Sequence, residues 1–169
     1  FIYTSSSYTN NQKEQLRKLN YLGNNVYPFV ENFGESDAAI HNGTAYITSF
    51  TDVEITRSEL LLGLDYTRGR VYTYDQEGNR LFTFGTLGTM VGAFRKAVAV
   101  ESWGDLVYVL DTDTQSITRF SPTTYGKTIL EAVGYYQDGQ YEKALEFWQK
   151  VLSMNANYEM AYSGIGQAK

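Results

Sequence analysis

The stretch "GAFRKAVAVESWGDLVYVLDTDTQSITRF", residues 92 to 120, decides the reading of the fold. Val98 and Val100, then Val107 and Val109, alternate with other residues, as strands buried on one face should. Upstream, "LLLGLDYTRG" before Arg70 parallels "LVYVLDTDTQ" before Ser116, each an apolar strand ending in Leu-Asp, and Asp65 and Asp111 are 46 residues apart. A further unit recurs three times, in "QLRKLNYLGNN" (15–25), "RVYTYDQEGNRLFTFG" (70–85) and "SITRFSPTTYG" (116–126), with Leu19, Tyr74 and Phe120 in the equivalent position. A period in the forties, built of short strands separated by Gly, Asn and Asp turns, is that of four-stranded propeller blades. Two turns add support. "YDQEGNRLF" places Gly-Asn between "VYTY" and "LFTF", and the Asn-Gly of "IHNGTAYIT" suits a tight hairpin whose central residues need positive φ.

These residues resemble the NHL repeat, which runs from Gly-x-Phe through an apolar strand, a Gly turn, a "(V/I)YV-x-D" strand and a final "I-x-x-F" strand. "FTDVEITRSELLLGLDYTRGRVYTYDQEGNRLFTFG" (50–85) is similar to a preceding copy. The resemblance covers about two and a half units, residues 1–122. It departs from the family at Lys96-Ala97, where a proline usually precedes the strand. Propellers close with four to eight blades, so an incomplete, open propeller with a free sheet edge is expected here, and that edge is a route to self-association.

After Tyr125 the pattern changes to helical. Tyr141, Ala144, Leu145, Trp148, Val151 and Leu152 share one stripe, with Glu142, Lys143, Glu146 and Lys150 away from it. Asp138-Gly139 ends the helix before it, and "NAN" at 155–157 ends the one after. Residues 123–169 resemble a tetratricopeptide repeat, in which Gly139, Tyr141, Ala144, Trp148 and Val151 match the turn glycine, tyrosine, small, large aromatic and apolar positions. Tyr162, Ile165 and Gly166 open the next repeat, of which only the first helix is present. Ala156 stands where the family carries proline, and Thr128 and Glu131 depart from the apolar positions of the first helix. The fold class expected is therefore mainly β with C-terminal α: an open propeller of NHL-like blades followed by about one tetratricopeptide-like repeat and the first helix of another.

"SPTTYGKTIL" (121–130) puts Gly-Lys-Thr just before a helix and raises the question of a bound nucleotide. A phosphate loop needs a glycine five residues earlier, after a buried parallel strand. Ser121 stands there, Pro122 lacks an N–H, and the preceding strand belongs to an antiparallel blade. Gly126-Lys127-Thr128 is read instead as a blade-to-helix junction, with Gly126 freeing the backbone and Thr128 near the helix start. "DTDTQS" (111–116) lacks the glycine, the fifth ligand and the distant glutamate of a calcium loop. "FGTLGTMVGAF" (84–94) lies between strands and reads as an inter-blade connection rather than a dinucleotide loop. His41 is the one histidine and the chain has no cysteine, too few for a His- or Cys-based transition-metal site. Asn42-Gly43-Thr44 fits the glycosylation triplet, which matters in a eukaryotic secreted protein.

Composition narrows the function classes. Fifteen tyrosines and nine phenylalanines, with two prolines, favour strands with half-buried aromatic faces. Fourteen basic against nineteen acidic residues give a net charge of −5, and no Lys/Arg run forms a phosphate-tracking stripe, which argues against a nucleic-acid partner. No 18-residue apolar span occurs, so membrane association is expected only through sequence beyond these residues. The chain opens on Phe1 in what reads as a strand already under way, and is expected to be a fragment.

No acid–base constellation is recognisable, and no cofactor is expected. Both resemblances imply a non-catalytic surface for a protein or peptide, with Tyr135, Tyr158, Tyr162 and Ile165 the candidate partner-binding residues. They also imply an extracytoplasmic or membrane-anchored bacterial protein of a kind associated with transport systems. The alternative is a propeller hydrolase of the lactonase or lyase kind, its divalent cation held at a central channel, with Asp52, Asp65 and Asp111 as candidate ligands.

Overall fold

The computed structural model describes residues 1–5, 15–27, 33–35, 39–41 and 44–167. The chain is mainly β with three C-terminal helices, and it divides into two compact units, Phe1–Phe120 and Ser121–Lys169. Among the described residues the strands form separate sheets rather than a closed barrel.

In the first unit, β1 (Ile2–Ser5) pairs antiparallel with β2 (Leu16–Leu19). The short strands β3 (Ala39–His41) and β4 (Thr44–Tyr46) form the expected hairpin, His41 opposite Thr44, while the turn residues Asn42 and Gly43 lie outside the described residues. Four strands, β5 (Phe50–Ile55), β6 (Leu61–Asp65), β7 (Arg70–Tyr74) and β8 (Arg80–Phe84), follow one another in an antiparallel sheet. The glycine-rich connection contains the two-residue parallel pair β9 (Thr86–Leu87) and β10 (Ala93–Phe94). A three-stranded antiparallel sheet closes the unit with β11 (Ala97–Trp103), β12 (Leu106–Asp111) and β13 (Ser116–Phe120).

The continuous apolar run of β6 has a direct cause. A strand covered on one face alternates, whereas one covered on both faces is apolar throughout. Leu62, Leu64 and Val71 pack with Phe94, Ala97, Val100 and Val109 on one face of the four-stranded sheet. On the other, Leu61, Tyr72 and Tyr74 pack with Leu16, Phe33 and Phe50. Gly63 sits mid-strand because a Cβ there would lie 2.8 Å from Cε1 of Phe50 and 3.0 Å from Cδ1 of Leu16. The aromatic side is knitted by edge-on pairs, Phe33 on Tyr74 at 5.1 Å and Phe50 on Tyr72 at 5.8 Å between ring centres.

The two larger sheets repeat in detail. In β5 the register slips between Phe50, opposite Asp65, and Asp52, opposite Leu64. In β11 it slips between Ala97, opposite Asp111, and Ala99, opposite Leu110. Each sheet therefore carries a bulge at the same step from its Leu-Asp corner. Val98 falls in this bulge and is half-buried, so the expected alternation of β11 starts after it, with Val100 buried. Leu19, Tyr74 and Phe120 each end the second strand of a hairpin, opposite Ile2, Leu61 and Val107. The turn between β7 and β8 spans five residues rather than Gly-Asn alone. Asp75 Oδ1 accepts the Glu77 and Asn79 N–H groups, and Gly78 takes φ +88°.

In the second unit, α1 (Thr124–Gln137), α2 (Tyr141–Met154) and α3 (Glu159–Gln167) pack in succession. Gly126-Lys127-Thr128 lies inside the first turn of α1, not ahead of it. The helix is started by Thr123, whose Oγ1 accepts the Gly126 N–H at 3.2 Å. Gly126 is helical and does not loosen the backbone, a correction to the junction reading. Thr128 is buried, its hydroxyl donated back to the Thr124 carbonyl at 2.9 Å. Gly139, at φ +73°, ends α1 while the Gln140 N–H returns to the Tyr135 carbonyl.

The helical core is Ile129, Ala132 and Val133 of α1, Ala144, Trp148 and Val151 of α2, and Ala161 and Gly164 of α3. Gly164 makes room for the indole, since a Cβ there would fall 2.4 Å from Trp148 Nε1. Of the expected stripe on α2, Leu145 and Leu152 are half-buried and Tyr141 is exposed, resting on Tyr136 at 5.3 Å. Among the described residues no helix is long and apolar enough to cross a membrane.

Candidate functional site

The three aspartates weighed as cation ligands each meet backbone donors. Asp52 Oδ1 accepts the N–H of Val53, and its Oδ2 that of Val100 at 2.8 Å. Asp65 Oδ1 accepts Ser49 and Thr67, with Arg68 Nη1 3.6 Å from its other oxygen. Asp111 accepts four: Arg95 at 2.7 Å on Oδ2, and Lys96, Asp113 and Thr114 on Oδ1. The structure does not gather them. Among the described residues no three His, Cys, Asp or Glu side chains lie together in a way that could hold a metal ion.

Asp65 and Asp111 do the same work one repeat apart. Each closes the turn that follows it and reaches back 16 residues to the chain entering the first strand of its sheet, Ser49 or Arg95. Lys96 donates the N–H that a proline there would lack. The electrostatics differ. Burial raises the pKa of the Asp65 carboxyl, against the pull of Ser49, Thr67 and Arg68. Burial also pushes Asp111 up, but its four backbone donors together outweigh this and leave its pKa below the ordinary value.

Around the first sheets Glu35 is a residue that no sequence pattern singles out. Its carboxylate sits 3.4 Å from both Arg70 and Arg80, and the Tyr72 hydroxyl donates to it at 3.4 Å. Burial, with the negative charges of Asp65 and Glu35, pushes Tyr72 up to about 12. Tyr72 therefore stays a neutral donor. A charged residue with no periodic signal around it finds these partners only through the tertiary fold.

The four candidate partner-binding residues divide into two groups. Tyr158 lies near Trp148, rings stacked at 6.4 Å, and edge-on to Tyr125 at 6.0 Å. Tyr162 belongs with it at the turn between α2 and α3: it is 57% exposed and donates its hydroxyl to the Ala156 carbonyl at 2.9 Å. Ile165, on the same helix, is half-buried. Tyr135 is placed differently, stacked on Phe147 at 5.2 Å with Lys143 Nζ 5.2 Å from its ring and Lys150 Nζ 5.6 Å from that of Phe147. Phe147 was missed because it falls beside the apolar stripe of α2, and only the pairing of α1 with α2 brings it to Tyr135.

A scan against protein families finds no match, and no curated protein matches the chain.

Proposed function

We propose that the chain is a non-catalytic scaffold. Blades of an incomplete NHL-like propeller carry a tetratricopeptide-like helical segment, and the helices hold a protein or peptide partner within a larger extracytoplasmic or membrane-anchored bacterial protein. The observation that carries this reading is α3. It packs on α2 through small residues, Ala161 and Gly164, while Tyr162 and half of Ile165 remain open to solvent. In a stack of helical hairpins such a helix offers its free side to the next element, and an aromatic rim with an aliphatic centre suits a peptide.

The blade reading draws on the paired bulges and the paired aspartate clips of the two larger sheets. The edge strands β8 and β13, each with one described neighbour, are where self-association through strand pairing would occur. The test is affinity capture from extracts of the source cell by the full chain and by its Ile165→Asp variant. Loss of a hot-spot contact costs roughly 2 kcal/mol, about 30-fold in affinity. A partner recovered by the native chain and lost by the variant, with unchanged helical circular dichroism, is the expected result. Equal recovery would place binding elsewhere.

A further inference from the structure

One face of the β5–β8 sheet carries Asp52, Leu64 and Val71 in one row and Glu54, Leu62 and Thr73 in the next. The β11–β13 sheet covers it, Leu62, Leu64 and Val71 packing on Val100 and Val109. Two carboxylates on that face take backbone donors from the covering sheet's first strand. Asp52 accepts from Val100 at 2.8 Å, and Glu54 accepts both the Ser102 N–H at 3.2 Å and its hydroxyl. The registers of the next sheet place Ala99, Leu110 and Ile117 in the first of these rows and Glu101, Tyr108 and Arg119 in the second.

Side chains alternate along a strand, so these residues lie on the side of β11–β13 turned away from Val100 and Val109. There Ile117 is 66% exposed and Trp103 80% exposed. Single exposed hydrophobics are ordinary, but Ile117 and the partly exposed Leu110 stand where the preceding repeat has the buried Val71 and Leu64. We infer that this face is the docking surface for a further antiparallel sheet of the same repeat, whose first strand gives Glu101 a backbone N–H as Ser102 gives one to Glu54. An occupant that is merely apolar would bury Glu101 without a donor, which is costly, whereas a strand with free N–H groups satisfies it. Arg119 replaces Thr73, so the occupant carries an acceptor opposite it. The inference rests on the repeat in the sheets and not on the role proposed for the helices, and its test reads the sheets alone.

Phe120 holds in its repeat the place of Tyr74, so a copy of residues 75–120 inserted between Phe120 and Ser121 of the full chain continues the pattern in register. With Trp148→Phe, and phenylalanine for the tryptophan of the inserted copy, Trp103 becomes the sole tryptophan, since the chain has two. Quenching of its emission by acrylamide should fall several-fold in the lengthened chain relative to the original, and Glu101→Gln should restore part of it. Amide exchange at Leu110 and Ile117, measured with Trp148 retained, should slow in parallel. Equal quenching in both chains would overturn the inference, whether or not circular dichroism shows added strand. Protection of Trp103 that grows with protein concentration in the original chain would overturn it too, by assigning the face to a second copy.

Discussion

The β unit and the helical unit both depend on a glycine that admits an aromatic ring, but they distribute the consequence differently. Gly63 admits Phe50 into a sheet already buried on both faces, where Tyr72, Tyr74, Leu61 and Leu16 share the cluster. Gly164 admits Trp148, the largest of the fully buried side chains, into a core otherwise made of small residues and short aliphatics. A sheet stack spreads its stability over many alternating positions. A short helical array concentrates it on the indole that α2 sets against α3.

The largest expected effect sharpens this contrast. Trp148→Ala should cost about 3–5 kcal/mol, the range for a large buried aromatic, read as loss of the helical signal at lower denaturant. A loss below ~1 kcal/mol would mean the helices do not rely on the indole and would break the comparison. Next comes Gly63→Val, which forces added carbons against Phe50 and Leu16. Overpacking of this kind costs about 1–3 kcal/mol, less than the tryptophan because the neighbours can share the shift. A neutral result in urea unfolding would show that the aromatic face of β6 is not tightly packed.

The aspartate clips come third and compare one repeat with the other. Asp111→Asn keeps one acceptor oxygen and places an NH2 among four backbone N–H donors, at a cost of about 1–3 kcal/mol. The pH dependence follows from the directions of the shifts. Asp111 is lowered in the folded state, so its contribution is full above 3.8 and is lost as pH falls through its folded pKa. Asp65 is raised, so in the window between 3.8 and its folded pKa stability declines as pH rises. Asp111→Asn should therefore flatten the acid limb of the stability curve, and Asp65→Asn should steepen it. Both variants flattening it would contradict the assignment. The smallest effect is that of Lys127→Ala, expected near zero, with no rise in melting temperature on adding ATP or GTP, since a ligand of the native state must stabilise it.

The β unit was the more legible of the two. The recurring Leu-Asp and the equivalent Leu19, Tyr74 and Phe120 are local patterns, and each reappears as a strand end or turn clip. Contacts across sheets were not legible. Nothing around Glu54 indicates that it takes donors from Ser102, 48 residues on, because one carboxylate on an alternating strand looks like any solvated one. The same holds for Tyr135 and Phe147, which meet only through helix packing. The helix start was readable but misplaced. Thr123 stands three residues before Gly126 as a cap should, which puts Gly-Lys-Thr inside the helix and not ahead of it.

The proposed scaffold holds its partner by the helices and not by the sheets. The most direct measurement places a photo-crosslinking side chain at Tyr162 in one full-length variant and at Met90, 76% exposed on the connection between β9 and β10, in another, both irradiated in the source cell. A discrete protein or peptide adduct at position 162 and none at position 90 is the expected result. The same adduct at position 90 with none at 162 would contradict the account.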